Sequence, residues 1–188
     1  RIWNIGAGQG KEVATLESSC SDIHSVDWSP CGTFLAVGAR DTKVGIWCFD
    51  SITFQYREVV TCNGHTDSVN NVTWSPCGQF LASGSNDNTV QIWSFCLKTS
   101  RCETVAVLQG HIDWVQSVKW SPCGKFLVTA SDDGTVRVWS FDCTTKRGTQ
   151  TAKLQGHRGW VLTVAWSPCG QYVASGSNDN TIRVWTGS

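Results

Sequence analysis

Residues Gly110 to Trp139 read GHIDWVQSVKWSPCGKFLVTASDDGTVRVW, and the rest of the chain is arranged around copies of this stretch. A Trp followed by Ser-Pro-Cys-Gly recurs every 46 residues, and so does the Trp that closes the stretch. Self-similarity at such a period indicates a repeat protein whose units stack on one another. The recurring tryptophans are Trp28, Trp74, Trp120 and Trp166, and then Trp47, Trp93, Trp139 and Trp185.

The composition is that of a folded domain. The 188 residues are 40% hydrophobic and 16% charged, with a formal net charge of zero. This balance argues against disorder, and the lack of a basic excess disfavours nucleic acid or anionic lipid as a partner. No apolar run approaches the roughly 18 residues that a transmembrane helix needs. The chain starts with Arg1 and has no secretory leader, so we expect it to begin inside a longer protein.

Ten cysteines are present, and four of them occupy the same position of each repeat. Equivalent positions of neighbouring repeats lie far apart, whereas a disulfide needs Cα atoms closer than about 7 Å. We therefore expect free thiols in a reducing compartment, the cytoplasm or the nucleus. The other six have no CxxC spacing, so no zinc ion is predicted, nor any other cofactor. The four repeated cysteines are Cys31, Cys77, Cys123 and Cys169.

Each repeat predicts four short strands. In the first copy these are Ile23 to Trp28, Phe34 to Gly38, Lys43 to Trp47 and Glu58 to Thr61. The strands are rich in Val, Trp and Phe, and Gly, Pro, Asn and Asp separate them. No segment has helical periodicity. The pattern predicts an all-β fold in which twisted four-stranded sheets pack face to face around an axis.

The repeats divide the whole chain. Residues 1–21 are the end of a preceding repeat and an outer strand, and repeats follow at 22–63, 64–109, 110–155 and 156–188. The last repeat lacks an outer strand after Trp185, and Arg1 to Trp3 duplicates Arg183 to Trp185. We therefore expect part of a larger ring of about seven or eight blades. The alternative is a two-chain assembly, a homodimer whose end strands pair to complete eight blades.

The order Gly-His, then WSPCG, then LASGSNDNTVQIW (Leu81 to Trp93) resembles the WD-repeat (WD40) β-propeller family over about residues 22 to 185. The sequence departs from the family pattern at two places. The closing Trp is never followed by Asp, and the Asp of the SPDG turn is Cys in every copy. The resemblance implies a non-catalytic scaffold that binds a peptide or protein partner within a larger complex.

Three repeats carry His, Ser or Thr, Asp and Trp at matching positions. Such residues can form a nucleophilic triad, but a catalytic site is needed once and this set occurs three times. The resemblance implies instead a structural tetrad, in which Asp orients His, His bonds the hydroxyl, and the hydroxyl bonds the Trp indole. The sets are His65, Ser83, Asp87, Trp93; His111, Thr129, Asp133, Trp139; and His157, Ser175, Asp179, Trp185.

The first repeat lacks half of this set. Ser19 stands in the place of the His and Val37 in the place of the Ser, so that only Asp41 and Trp47 remain. We expect this blade to depend on apolar packing and to be the least stable of the four.

The resemblance also implies which residues face the narrow upper mouth of the ring. They are the residue before the first-strand Val, the residue two positions further on, and the residue before the tetrad Asp. Trp114 and Trp160 stand where the first two repeats have Asp22 and Ser68. Aromatic anchors of this kind are enriched at binding hot spots; the alternative is that each Trp packs against the neighbouring blade. The candidate partner-binding residues are His24, Arg40, Asn70, Asn86, Trp114, Gln116, Asp132, Trp160, Leu162 and Asn178.

Two other functions are open at this point. An enzyme or a redox- or metal-dependent domain would use the repeated His, Asp and Cys, but only His24 with Asp22 forms a pair outside the repeat pattern. The SPCG cysteines would ring the face opposite the mouth, too spread to converge on one ion. A reader of nucleic acid or of a modified histone tail would use the two Trp for cation–π contact with methylated lysine. We predict a protein or peptide partner, no membrane and no enzymatic activity.

Overall fold

The computed structural model describes residues 1–4, 10–16, 21–50, 52–53, 55–96, 99 and 101–187. All regular secondary structure in these residues is β-strand, numbered β1 to β17, as the sequence predicts. The described part of the chain has no helix that could cross a membrane.

Three blades have four antiparallel strands each, ordered as they follow in the chain. Blade one contains β3 (Ile23–Trp28), β4 (Phe34–Ala39), β5 (Val44–Asp50) and β6 (Gln55–Cys62). Blade two contains β7 (Val69–Trp74), β8 (Phe80–Ser85), β9 (Val90–Cys96) and β10 (Arg101–Leu108). Blade three contains β11 (Val115–Trp120), β12 (Phe126–Ser131), β13 (Thr135–Asp142) and β14 (Arg147–Gln155).

Blade four has three strands, β15 (Val161–Trp166), β16 (Tyr172–Ser177) and β17 (Ile182–Thr186). Ile182 at the start of β17 is 80% exposed, and Val184 is exposed as well. The described sheets do not close on one another, so they form an arc of a β-propeller rather than a full ring.

Strands β1 (Ile2–Asn4) and β2 (Lys11–Ala14) form a separate hairpin. Trp3 pairs with Glu12, as Trp47 pairs with Glu58 in blade one, and both pairings follow a bulge just before the Trp. The hairpin therefore has the register of the outer half of a blade. Ile2 and Leu16 pack against the core residues of blade one, so the hairpin lies beside that blade.

The hydrophobic core lies between the blades. Val44 and Ile46 of blade one pack with Val69 and Val72 of blade two, and the same kind of contact joins each later pair of blades. Blade two has a neighbouring blade on each face, and all six residues of its second strand, β8, are buried. In blade four, which has one such neighbour among the described residues, the second strand β16 has only two buried residues. Each fully buried Val, Leu or Ile contributes roughly 1.5–3 kcal/mol. Packing between sheets, rather than within one, therefore holds the arc together.

A disulfide between Cys62 and Cys102 joins the outer regions of blades one and two, with Cα atoms 5.3 Å apart. These residues lie 40 apart in sequence and meet because β6 and β10 lie side by side. Free thiols were expected for the four repeated cysteines, whereas Cys62 and Cys102 are bonded to each other. Spacing alone does not predict the bond, since the two cysteines occupy different positions in their repeats.

The loop between the second and third strands of every blade needs a left-handed residue. The φ angles are +71° at Thr42, +68° at Asn88, +77° at Gly134 and +65° at Asn180. Gly adopts this conformation freely and Asn tolerates it, but a β-branched side chain clashes with its own backbone. Blade one therefore carries backbone strain that the other three avoid.

Replacing Thr42 with Asn should relieve this strain and raise the free energy of unfolding by about 1 kcal/mol. Urea denaturation monitored by Trp fluorescence measures the change. The reverse substitution, Gly134→Thr, is the matched control and should destabilise the protein. Equal stability of wild type, T42N and G134T would contradict the assignment of strain to this position.

Candidate partner-binding surface

The three predicted tetrads are each joined by short hydrogen bonds. In blade two, His65 Nδ1 lies 2.7 Å from Asp87 Oδ2, His65 Nε2 lies 2.7 Å from Ser83 Oγ, and Trp93 Nε1 donates to Ser83 Oγ at 2.8 Å. The same three distances are 2.8, 2.7 and 3.0 Å in blade three. They are 2.9, 2.8 and 2.8 Å in blade four.

A neutral imidazole satisfies every member of this network. The Nδ1–H of His65 donates to Asp87, its Nε2 accepts the Ser83 hydroxyl proton, and the Ser83 oxygen accepts the indole N–H of Trp93. Asp87 also accepts from the backbone N–H and the hydroxyl of Thr89. The hydroxyl of Ser83 is fully buried, so a substrate cannot reach it.

Burial sets the protonation of the network in blade three. Burial lowers the pKa of His111, although the neighbouring Asp133 carboxylate acts in the opposite direction. Burial by itself would raise the pKa of Asp133, but hydrogen bonds from His111 and Thr135 outweigh it and hold this pKa well below its ordinary value. At neutral pH the imidazole is therefore neutral and the carboxylate is charged.

Blade one shows what the loss of the tetrad leaves behind. Val37 supplies no hydroxyl, and the indole N–H of Trp47 is buried without a hydrogen-bond partner among the described residues. Asp41 Oδ1 is also buried and has no partner in the described part of the chain, while its Oδ2 lies 3.5 Å from Lys43 Nζ. Ser19, which stands in the place of the His, lies outside the described residues. The low stability expected of this blade stays a prediction.

The upper face is the side of the sheets on which the first strand of each blade begins. On this face the residue before the first strand and the residue before the tetrad Asp are joined by a backbone hydrogen bond in every blade. The N–H of Asn86 donates to Ser68 O at 2.9 Å, and that of Asp132 donates to Trp114 O at 3.0 Å. The corresponding pairs of blades one and four are Arg40 with Asp22 and Asn178 with Trp160.

The residue two positions after Ser68 or Trp114 is the remaining predicted residue of its blade. In blades two and three its side chain bonds to the residue before the tetrad Asp. Asn70 Nδ2 donates to Asn86 Oδ1 at 2.6 Å, and Gln116 Nε2 donates to Asp132 Oδ2 at 2.9 Å. Leu162 holds this position in blade four and is 47% exposed. The structure thus brings the candidate residues of blades two and three together at the upper face.

Blade one presents a different surface. Arg40 forms an ion pair with Asp22 at 3.3 Å. The pairing that the sequence suggested, His24 with Asp22, is therefore replaced by a pair of opposite charges. His24 is exposed.

Trp114 and Trp160 are 46% and 54% exposed. Packing against the neighbouring blade therefore covers only about half of each side chain. Ser68, the residue of blade two at the same position, is buried. Two large apolar side chains thus lie in contact with solvent at equivalent positions of adjacent blades.

Ile112, which is not among the predicted residues, belongs to the same surface. It follows the tetrad histidine, two positions before Trp114, and is 81% exposed. The other two tetrad blades have Thr66 and Arg158 at this position. An apolar residue where the other copies are polar is the signal that identifies it.

The four SPCG cysteines are exposed. In each turn the cysteine Sγ lies 3.2–3.3 Å from the Oγ of the preceding Ser. This contact lowers the pKa of the Cys31, Cys123 and Cys169 thiols. Among the described residues, no three His, Cys, Asp or Glu side chains are grouped closely enough to hold a metal ion.

A groove of about 760 Å³ lies between blades three and four, beside the edge strand β17. Its walls include the apolar Phe126, Leu154, Trp166 and Tyr172 and the polar Thr151, Gln171 and Thr186. Among the described residues that line it there is no carboxylate, imidazole, amine or thiol, so they offer no acid–base pair or strong nucleophile.

The tetrads should make the protein sensitive to acid. The pKa values of His111, Asp87 and Asp133 are all lowered by folding, so the unfolded chain binds more protons than the native chain as the pH falls. Stability should be full above about pH 6.5, should decline below it because His111 binds a proton in the unfolded chain and stays neutral in the native one, and should decline further below about pH 4 as the two carboxylates do the same.

Urea unfolding across this pH range measures the effect. The matched control is His24→Ala, which removes an exposed imidazole and should keep the wild-type profile. An unfolding free energy that is constant between about pH 7.5 and 5 would contradict the neutral, buried state of His111.

Comparison with known proteins agrees with this geometry. The family model described as WD domain, G-beta repeat matches residues 10–48, 56–94, 102–140 and 148–186. Each matched segment begins at or near the outer strand of one blade and ends at the third strand of the next. No curated protein sequence matches the chain significantly. Because the four matches cover more than half of the chain, the protein belongs to the WD40 repeat family.

Proposed function

We propose that this chain is a non-catalytic interaction scaffold whose upper face binds a peptide or protein partner through Trp114 and Trp160. The observation that supports this most directly is the half-exposure of both indoles on adjacent blades, where blade two buries a serine. Ile112 and Leu162 enlarge the apolar surface, and Asp132 and Gln116 supply polar contacts beside it. Aromatic anchors with a polar rim are the usual composition of a binding hot spot.

The family supports the general role. WD40 repeats are in general protein-interaction scaffolds, are not enzymes as a rule, and typically bind proteins or peptides. Assignment of that role to this chain, with the upper face as its site, is the proposal. Membership of a larger complex follows from the same role.

The positions of the reactive side chains support a role other than catalysis. The three His, Ser or Thr, and Asp sets are closed by hydrogen bonds, and Ser83 and Thr129 are fully buried. The exposed turn cysteines lie on separate blades. These groups are where a structural role would place them, and they face no common cavity among the described residues.

An intracellular location, cytoplasmic or nuclear, stays a prediction. Exposed thiols at the SPCG turns favour a reducing compartment, whereas the Cys62–Cys102 disulfide favours an oxidising one.

A homodimer that completes eight blades also stays a proposal. Its support is the β1–β2 hairpin, in which Trp3 pairs with Glu12 in the register of an outer strand. Strand β17 carries Trp185 at the equivalent position and has no fourth strand beside it among the described residues. Strand β2 of a second copy could therefore pair with β17 in the register that it already uses with β1.

The proposed site is tested by affinity capture followed by quantitative mass spectrometry, with the wild type and the W114A/W160A double variant as baits. Proteins that bind the upper face should be recovered at least tenfold less with the double variant, since a hot-spot residue contributes about 2 kcal/mol or more.

The matched control is Trp28→Ala. Trp28 is also partly exposed, but it ends the first strand of blade one at the opposite side of the sheet. Recovery by this variant should equal that of the wild type. Equal recovery by the double variant and the wild type would rule out the upper-face site.

A further inference from the structure

We propose that the Cys62–Cys102 disulfide is a redox-sensitive lock on blade one. While the bond is intact it holds blade one against blade two, and when a thiol reductant cleaves it, blade one opens locally while blade three stays folded. This inference goes beyond the proposed function, because it concerns the stability of one blade rather than a partner. Three observations support it: the place of the bond, the contacts at equivalent positions of neighbouring boundaries, and the defects of blade one.

The bond lies in the packed layer between blades one and two. Cys62 is the last residue of β6 and is 1% exposed, and Cys102 is the second residue of β10. Cys62 belongs to the core cluster that contains Val44 of blade one and Val69 of blade two, and Cys102 packs against the same cluster. The covalent link therefore joins the two sheets at the interface where their apolar faces meet.

The boundary between blades two and three uses the same two positions for an apolar contact. Leu108 and Gly148 stand 46 residues after Cys62 and Cys102, respectively. The side chain of Leu108 fills the space that a Cβ at residue 148 would occupy. This contact does not depend on redox conditions, whereas the link between blades one and two does.

The boundary between the β1–β2 hairpin and blade one is also apolar at these positions. Leu16 and Tyr56 stand there, and both pack against the core residues of blade one. Reduction of the disulfide would leave two thiols, which bury less apolar area than a leucine does. The reduced boundary would therefore have neither the covalent link nor the leucine of its neighbours.

Blade one has the weakest internal network of the four blades. The indole of Trp47 and Asp41 Oδ1 are buried without hydrogen-bond partners among the described residues, and Thr42 is held at a φ of +71°. Blades two, three and four each have a complete tetrad instead. A segment with fewer stabilising contacts opens at a lower free energy than the rest of a protein. Loss of the covalent link should therefore affect blade one first.

The chemistry is thiol–disulfide exchange with a small thiol of the glutathione class. Cys102 is partly exposed and Cys62 is buried, so the reductant thiolate attacks Cys102 Sγ. A mixed disulfide forms at Cys102, and Cys62 Sγ leaves as a thiolate and takes up a proton. A second reductant thiolate then attacks the reductant sulfur of the mixed disulfide and releases Cys102, which is protonated in turn. Two reductant thiols are thereby oxidised to one disulfide, and the cysteine pair gains two electrons and two protons.

A reversible bond also accounts for the mixture of cysteine states in this chain. The exposed thiols of the four SPCG turns favour a reducing compartment. Disulfides in such compartments are usually transient, catalytic or redox-sensing rather than permanent. A lock that opens on reduction is compatible with both the exposed thiols and the bond.

The test is hydrogen–deuterium exchange with mass spectrometry on the oxidised chain and on the chain in dithiothreitol. Peptides from β4 and β5 of blade one are compared with peptides from β12 and β13 of blade three. Reduction, verified by two additional alkylated cysteines in the intact mass, should speed exchange in blade one at least about tenfold and leave blade three unchanged.

Two variants provide matched controls. Cys62→Leu/Cys102→Gly copies the contact of the next boundary, so exchange in its blade one should be the same with and without dithiothreitol. Cys48→Ser removes a different cysteine of blade one and copies the serines that follow the closing Trp in blades two and three. This variant should respond to dithiothreitol as the wild type does.

Four results would overturn the proposal. They are unchanged exchange in blade one after verified reduction, an equal rise in blades one and three, a C62L/C102G variant that still responds to dithiothreitol, and an alkylation pattern that shows no disulfide in the untreated chain.

Discussion

In blades two, three and four, the hydrogen bond between the indole N–H of the closing Trp and a buried hydroxyl is the interaction on which the blade depends. The hydroxyl belongs to the second strand and the Trp to the third, and the His beyond the hydroxyl reaches back to the Asp of the connecting loop. One network therefore ties two strands and two loops of a blade. Because each member is buried, an incomplete network is costly, and a complete one specifies a single arrangement.

This framework of hydrogen bonds determines at which positions the residue type can vary from blade to blade. The tetrad and the interblade core fix the backbone, so the residue before each first strand can change without altering the fold. Asp22, Ser68, Trp114 and Trp160 occupy that position in the four blades, and the last two remain half-exposed. Neighbouring blades thus present different chemistry on one rigid upper face. Under the proposed function, binding of a partner depends on the positions that break the repeat.

Sequence spacing was sufficient for the parts of the structure that repeat. The strands, the turns and the members of each tetrad follow from a fixed period, which places residues such as His111 and Asp133 at the same points of every blade. Contacts specific to one boundary do not follow from the period. The Cys62–Cys102 bond and the Asp22–Arg40 ion pair depend on how two blades or loops meet. The exposure of Trp160 likewise depends on the packing of its side chain, because a Trp at that position could equally pack against the neighbouring blade.

The central claim, that the buried hydroxyl–indole bond stabilises the blades that have it, is tested by exchanging residues at one repeat position. Urea unfolding of Thr129→Val and Val37→Thr measures it in both directions. Thr129→Val leaves the indole of Trp139 unpaired, as Val37 leaves that of Trp47. We predict that T129V lowers the free energy of unfolding by about 1–3 kcal/mol and that V37T raises it by about 1 kcal/mol. Stability unchanged in both variants would contradict the account.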